Sequence, residues 1–311
     1  MTKCLILGGG GFIGSFIVDR LLALGHEVRI FERPRVLPYR AFGREERVEW
    51  LAGDFQSAAD IRAAVEGCNV VFHLISTTLP KGSNDDPIYD IETNLVGTLR
   101  LLAAAVRGRV RKVVFISSGG TVYGIPKRIP VAEEHPTEPL VSYGIAKLAI
   151  EKYLHLYWYL HGLEYSVLRV ANPYGERQRA DTAQGAVAVF LSRALEGKPI
   201  EIWGDGSVAR DYIYIGDVID AFIMAMNHEG EPRVFNIGSG EGRSLNELLK
   251  TMEELLGRSV ERLYLPARKF DVPVNVLDIG RAREVLGWQP RVAFCDGLER
   301  TLAWMRNSRA T

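Results

Sequence analysis

The chain has 311 residues, 47% of them hydrophobic and 24% charged, the balance of a globular protein with one large or two closely joined domains. Lys plus Arg and Asp plus Glu both number 38, which excludes the bulk positive charge of a nucleic-acid or anionic-membrane binder. The three cysteines, Cys4, Cys68 and Cys295, are scattered and show no Cys-x-x-Cys spacing, so they point to a reducing compartment and to no metal site. No apolar run reaches transmembrane length, and glycines break the opening apolar segment, which does not suit a signal peptide. The expectation is a cytoplasmic protein without repeats or a flexible linker.

Lys3 to Leu7 reads as a short buried strand that runs straight into Gly8-Gly-Gly-Gly-Phe-Ile-Gly14, and Phe16 to Leu24 reads as a helix closed by Gly25. Strand, glycine turn and helix together form the context in which such a motif holds a pyrophosphate: the backbone approaches closely and the helix start offers amide donors. Two registers fit, Gly9-x-Gly11-x-x-Gly14 and Gly8-x-x-Gly11-x-x-Gly14. The next strand, Val28 to Phe31, ends in Glu32, where an acid accepts hydrogen bonds from an adenosine ribose and disfavours a 2′-phosphate. NAD is the cofactor this favours, while Arg33 and Arg35 keep NADP open.

Alternation of strands and helices continues. Val48 to Leu51 is a strand leading to Gly53-Asp54-Phe55, with Asp54 placed as a turn residue or facing an adenine amino group. Ile61 to Val65 reads as a helix and Val70 to Ile75 as a buried strand holding His73, a core histidine rather than a catalyst. Ile91 to Val106 reads as a helix with a partly buried Asn94 that needs a partner. Val113 to Ile116 is a strand, followed by the hydroxyl-rich loop Ser117 to Gly124, the position where open α/β sheets bind ligands. The fold class expected is α/β: a Rossmann-type doubly wound parallel sheet.

Ser142 to His161 reads as a long helix stopped by Gly162. Near its head stands Tyr143-Gly-Ile-Ala-Lys147. Residues four apart share a helical face, so the phenol and the ammonium can share one site. A nearby cation favours the phenolate and so lowers the Tyr pKa, making Tyr143 a usable proton acceptor near neutral pH. Further helices are read over 185–196, 217–227, 244–256 and 280–286, with a strand over 199–203.

The motifs stand in an order that resembles the extended short-chain dehydrogenase/reductase family, the NAD-dependent sugar-nucleotide epimerases and dehydratases. They are Gly8-x-x-Gly11-Phe12-Ile13-Gly14, Gly53-Asp54, His73-Leu74, Asn94-Leu-Val-Gly-Thr98, Ser117 to Gly124, Tyr143-x-x-x-Lys147 and Leu168 to Gly175. Trp203 to Gly206, Arg210-Asp-Tyr-Ile213, Phe235-Asn-Ile-Gly238 and Leu286-Gly-Trp-Gln-Pro290 extend the match almost to the end. The resemblance implies an NAD-binding Rossmann domain over 1–171 and a smaller α/β substrate-binding domain over 172–311, interleaved with segments that return to the first. It implies cofactor contacts from Gly8, Gly11, Phe12, Ile13, Gly14, Glu32, Arg33, Asp54, Phe55, Leu74, Ile75, Ser76, Asn94, Ser117, Tyr143 and Lys147. In the substrate domain it implies Arg210 and Arg268 on the diphosphate, Asp271 near the nucleotide ribose, Asn172 on the sugar diphosphate, and Asn275 at a position whose size bears on N-acetylated sugars.

The reaction implied is epimerisation at C4 of a nucleotide-diphosphate sugar (a UDP-hexose, UDP-N-acetylhexosamine or UDP-uronate) through a 4-keto intermediate. Tyr143 takes the hydroxyl proton and Lys147 holds the nicotinamide ribose. In one place the chain departs from the family: Gly119 stands where a Ser or Thr usually bonds the reacting hydroxyl. Thr121, with Ser118 second, is the substitute expected. Gly120 and Thr121 also replace the acids that dehydratases and decarboxylases carry before Val-Tyr-Gly, which argues against those reactions. A 4-ketoreductase using NAD(P)H and a non-catalytic nucleotide sensor are the alternatives. The aromatic stretch Tyr153 to Leu160 needs cover on more than one face, either within the chain or in the family's four-helix homodimer. No nucleic-acid or membrane partner is expected.

Overall fold

In the computed structural model, which describes residues 1–80, 82–180, 185–267 and 272–310, the chain divides into two compact units. The first comprises Met1–Val122, Pro139–Arg169 and Ile219–Phe235; the second comprises Tyr123–Glu138, Val170–Val218 and Asn236–Thr311.

In chain order the elements begin with β1 (Lys3–Leu7), α1 (Phe12–Ala23), β2 (Glu27–Glu32), β3 (Val48–Ala52), α2 (Ala58–Val65) and β4 (Val70–His73). There follow α3 (Pro87–Asp90), a π-helical turn (Ile91–Val96), α4 (Gly97–Arg107), β5 (Lys112–Ser118), α5 (Ser142–His161) and β6 (Glu164–Val170). Seven strands form one sheet in the order β10-β6-β5-β4-β1-β2-β3, where β10 is Val234–Ile237. The pairs β3–β2, β2–β1, β1–β4 and β4–β5 are parallel. From β1 the chain builds outward through β2 and β3 on one side and through β4, β5 and β6 on the other. The strand order therefore reverses at β1–β4, the switch point where such sheets bind ligands.

Apolar side chains fill the first unit's interior. Leu5, Phe31, Val71, Phe115 and Val167 of the sheet pack with Ile61, Leu101 and Leu154 from α2, α4 and α5. Helix α5 matches the range read from the sequence and ends on Gly162 in the left-handed region, φ 67°. Helix α1 begins at Phe12, earlier than the apolar periodicity suggests, because Gly11 is its N-cap and Gly14 lies inside its first turn. The single helix read over 91–106 is two pieces, the π-turn and α4, and a further short helix, α3, precedes them. Asp86 caps α3, its carboxylate accepting from the Tyr89 amide at 2.9 Å, and the wide turn that follows accommodates the inward-facing side chains of Thr93 and Asn94.

The second unit is built on β7 (Asn172–Tyr174), α6 (Ala186–Leu195), β8 (Ile200–Trp203), β9 (Ala209–Tyr214) and the start of α7 (Ile215–Asn227), which carries the chain back to the first unit. After β10 come β11 (Gly242–Ser244), α8 (Leu245–Leu256), β12 (Arg262–Leu265), β13 (Val274–Asn275), α9 (Gly280–Leu286) and α10 (Phe294–Ala310). Strand β9 is the centre of its four-stranded sheet, antiparallel to β11 and parallel to β13 and β7. Strands β8 and β12 pair in parallel by themselves. A capping box, Ser244 with Glu247, starts α8. Trp288, fully buried, donates its indole N–H to the Asp217 carbonyl at 2.9 Å, while the Asp217 carboxylate accepts the amides of Arg291 and Val292. Among the described residues no helix is long and apolar enough to cross a membrane.

Candidate active site

Because β1, β2, β4 and β5 are parallel and adjacent, Gly8, Glu32, Leu74 and Ser117–Ser118 all lie along the carboxyl edge of one sheet. Gly14 is required by its surroundings: a Cβ there would stand 2.1 Å from the Gly8 carbonyl oxygen and 2.7 Å from Gly9 Cα. Gly11 is different. It is exposed, and a Cβ would meet only the Gly8 oxygen, at 3.3 Å. Helix α1 starts at this open face without a side-chain cap, so its first amides are left for an anion. These features fit a dinucleotide pyrophosphate.

Glu32 bends back over the same loop, accepting the amides of Gly10 at 3.0 Å and Arg33 at 3.3 Å. Burial pushes its carboxyl above the usual range, against the two amide bonds that favour the anion. Each carboxylate oxygen keeps a second lone pair for a ribose hydroxyl. Asp54 is exposed and caps its own turn, accepting from the Gln56 amide at 2.8 Å. Three other expected cofactor residues are committed inside the chain. Phe55 is buried with its ring 5.3 Å from that of His73. Asn94 accepts the Thr77 amide and donates to Thr78 Oγ1 and Asp90 Oδ1, so its amide fixes the loop after β4. Ser117 donates its hydroxyl to Glu151 at 2.5 Å. Towards a cofactor, Phe55 therefore offers its backbone, and Ser117 its backbone or an accepting hydroxyl oxygen. Of the rest, Ile75 lies against Gly8, and Ser76 donates to the Thr78 carbonyl at 3.0 Å.

His73 is the core histidine the sequence suggests. Thr98 spends its hydroxyl proton on the Asn94 carbonyl at 2.6 Å, so at the 2.8 Å contact it accepts from His73 Nε2. Burial, helped by Lys147, lowers His73 to about 3, and the ring is neutral.

Tyr143 and Lys147 share a face of α5 as their spacing requires. Lys147, 4% exposed, donates to the Ile116 carbonyl at 2.9 Å and stands 4.7 Å from the Phe115 ring centroid and 5.5 Å from that of Tyr143. The electrostatics differ from the expectation. In the protein alone the half-buried phenol is pushed up, by burial first and Asp90 second, and Lys147 does not reverse this. Lys147 is itself lowered to about 7 by burial, against the pull of Asp90 and Glu151. Desolvation disfavours the charged form of both groups.

The loop after β5 packs onto α5 through Gly144, whose missing side chain admits the Thr121 carbonyl: a Cβ there would lie 2.7 Å from it. Thr121 Oγ1 is buried without a hydrogen-bond partner among the described residues. A buried hydroxyl left unsatisfied is costly, and this one lies in the loop where a substrate hydroxyl is expected. Ser118 is half-buried at the strand end. Pattern reading passed over two acids in this region. Asp90 is fully buried, and Glu151 forms a buried ion pair with Arg169 at 2.6 Å. The spacing Tyr143, Lys147, Glu151 is the signal that could have found the second.

In the second unit, Arg210 and Asn275 are register partners on β9 and β13, and Asn172 pairs with Tyr212 on the other side of β9. Asn172 Nδ2 donates to the Asp211 carbonyl at 3.0 Å, and Arg210 Nη1 donates to the carbonyls of Ala209 and Val272. Asn275 is 1% exposed. Arg243 of β11 stands opposite Arg210 and lines a cavity of about 350 Å³ with Tyr174, Tyr212, Tyr214 and Phe294. Arg268 and Asp271 lie outside the described residues.

The chain is 40% identical over 310 residues to the UDP-glucose 4-epimerase of Mycolicibacterium smegmatis, covering 98% of this chain and 99% of that one. The crystal structure of UDP-glucose 4-epimerase with UDP-glucose from Thermotoga maritima superposes with a TM-score of 0.93, at 36% identity and 99% coverage of both chains. The Thermus thermophilus UDP-glucose 4-epimerase complex with NAD gives 0.91 at 33% identity, covering 98% of this chain and 99% of that one. Residues 4–238 match the model of one family, and with the glycine loop, the sheet order and the Tyr143–Lys147 pair in place, the chain belongs to the NAD dependent epimerase/dehydratase family.

Proposed function

We propose that this protein interconverts the C4 epimers of a UDP-hexose, with NAD held by the first unit and the nucleotide sugar by the second. The observation that carries the reading is the Tyr143–Lys147 pair, anchored through Lys147 Nζ to the Ile116 carbonyl at the end of β5. The names of the relatives support it: two are UDP-glucose 4-epimerases solved with UDP-glucose or with NAD.

Tyr143 accepts the proton of the sugar 4-hydroxyl and returns it to the same oxygen once the sugar has turned. Thr121, whose hydroxyl lacks a partner among the described residues, bonds the same sugar oxygen and takes the place of the side chain absent at Gly119. Lys147 holds the nicotinamide ribose and contributes positive charge beside the phenol. Oxidised NAD, when bound, supplies a hydride acceptor and further positive charge at a site where burial alone favours the neutral phenol. Glu32 bonds the adenosine ribose, and its carboxylate disfavours a 2′-phosphate. Asn172 and Arg210, with Arg268 and Asp271, hold the diphosphate and nucleotide. These contacts to the diphosphate would keep a 4-keto sugar in the site while it turns over.

A homodimer through α5 and the segment from α3 to α4 is part of the proposal. Ile145 is 55% exposed and Tyr159 75% on α5, and Ile88 70% on α3, all on the first unit, so both elements leave apolar side chains for a partner to cover. Sedimentation as a monomer at micromolar concentration would defeat it. For the reaction, the purified protein is incubated with UDP-glucose, UDP-N-acetylglucosamine and UDP-glucuronate in turn. The expected result is the 4-epimer of at least one without added NADH; reduction only with stoichiometric NAD(P)H would overturn the epimerase reading.

A further inference from the structure

Helix α5 has no cap of its own. Its N-cap residue, Val141, offers no side-chain acceptor, and the first-turn donors are met by one distant segment. Asn84 Oδ1 accepts the Ser142 amide at 2.8 Å, and Ser83 Oγ accepts the Tyr143 amide at 3.0 Å. The third partner is Asp90, whose Oδ2 accepts from Ser142 Oγ at 2.7 Å. Asp90 is completely buried, and its Oδ1 is filled by Asn94 Nδ2 at 2.8 Å and by the Thr78 hydroxyl. Among the described residues its carboxyl is bonded by neutral hydroxyls and an amide alone. A carboxyl group is expensive to bury unless its oxygens are hydrogen-bonded, as these are. The positive end of α5 and the Lys147 ammonium are the favourable charges it meets.

We propose that Asp90 is a positioning residue for the reaction: it fixes the first turn of α5 through Ser142 and acts as the buried counter-charge of the Tyr143–Lys147 pair. This rests on the functional reading above. A helix terminus held by its own N-cap could fray without reference to the sheet. Here the turn that carries Tyr143 is held by Ser83, Asn84 and Asp90, which follow β4, and Asn94 bonds both Asp90 and the loop after β4. The dinucleotide edge and the proton acceptor are thereby held through one network. The carboxylate works against the phenolate and for the ammonium, since Asp90 raises both Tyr143 and Lys147. Other charges face the pair from each neighbouring element. Glu151 of α5 pulls Lys147 upward and is itself bound to Arg169 of β6, His73 of β4 is neutral, and Glu92 of the π-turn is exposed. Asp90 is the acid that acts on both groups.

The test compares Asp90→Asn and Ser142→Ala with the wild-type enzyme as purified. Two readouts are used: the pH profile of kcat/KM, and the titration of 13Cζ-labelled tyrosine, with the Tyr143 resonance assigned by its loss in Tyr143→Phe. Asp90→Asn should move the Tyr143 titration and both limbs of the profile to lower pH, because removing the carboxylate lowers both pKa values. Ser142→Ala should lose roughly tenfold to a hundredfold in kcat, as misplacement does, with the limbs unmoved. Limbs and resonance unmoved in Asp90→Asn, whether activity holds or falls together with thermal stability, would reduce Asp90 to a contributor to the fold. A wild-type enzyme inactive on every UDP-hexose, with the resonance shift still present, would sink the functional reading and leave only the coupling of Asp90 to Tyr143 standing.

Discussion

The Lys147 ammonium lies 5.5 Å from the centre of the Tyr143 ring while bonded to the Ile116 carbonyl at 2.9 Å, which ties the phenol's neighbour to the end of a central strand. The phenol oxygen itself makes no hydrogen bond among the described residues. Tyr143→Phe should therefore lower kcat by ~10²–10⁴-fold, the usual weight of a positioned proton acceptor, and leave the melting temperature nearly unchanged. Turnover of UDP-glucose beside a thermal melt checks both halves; near-wild-type turnover would remove Tyr143 from its role.

Lys147 makes stability depend on pH in a predictable sense. Its pKa falls from 10.5 to about 7 on folding, so between those values the unfolded chain binds more protons than the native one, and stability rises with pH across that window. The burial penalty is fully present below pH 7 and is relieved on the way to 10.5. Lys147→Met lacks this slope. Denaturant melts at pH 6 and pH 10 should show the wild type gaining on the variant as pH rises; a constant difference would show that the lysine titrates as if exposed.

Gly14 tests the dinucleotide turn. The obstacle to a side chain is backbone, 2.1 Å away on Gly8, and backbone in a tight turn cannot swing aside. Gly14→Ala should cost about 1–3 kcal/mol or more as overpacking does and should empty the purified protein of NAD, measured by absorbance of the extracted nucleotide.

Thr121 separates stability from activity. Replacing its hydroxyl by a methyl in Thr121→Val removes a buried group without a partner, which is neutral or stabilising in the free protein. The same change should lower kcat roughly tenfold or more, since general acid–base chemistry loses an aligned hydroxyl. If Thr121→Val retains full turnover, Ser118 is the next residue to test.

The Glu151–Arg169 pair, with both side chains less than 10% exposed, should behave as buried pairs do. Glu151→Leu strips the guanidinium and the Ser117 hydroxyl of their common acceptor and should destabilise by about 3–5 kcal/mol. Joint replacement of both residues by apolar side chains should recover most of that loss in chemical denaturation.

Much of the first unit was legible along the chain. β1, β2 and α5 follow from local apolar patterning, and Gly162 ends α5 because only the left-handed region closes that turn without strain. The glycine turn and the four-residue step from Tyr143 to Lys147 are likewise local, so they are written in the sequence. What could not be read there depends on residues far apart in the chain. The periodicity of 91–106 looks like one helix because a π-turn changes the register by a single residue, which an apolar stripe barely records. Asp90 is an acid among acids in Asn84-Asp-Asp-Pro-Ile-Tyr-Asp90; only packing against Ser142, Thr78 and Asn94 makes it a buried, fully bonded acid. The protonation of the pair was decided the same way. Spacing places a cation near a phenol, but desolvation by the whole first unit sets the direction in which each pKa moves, and burial is a property of the fold.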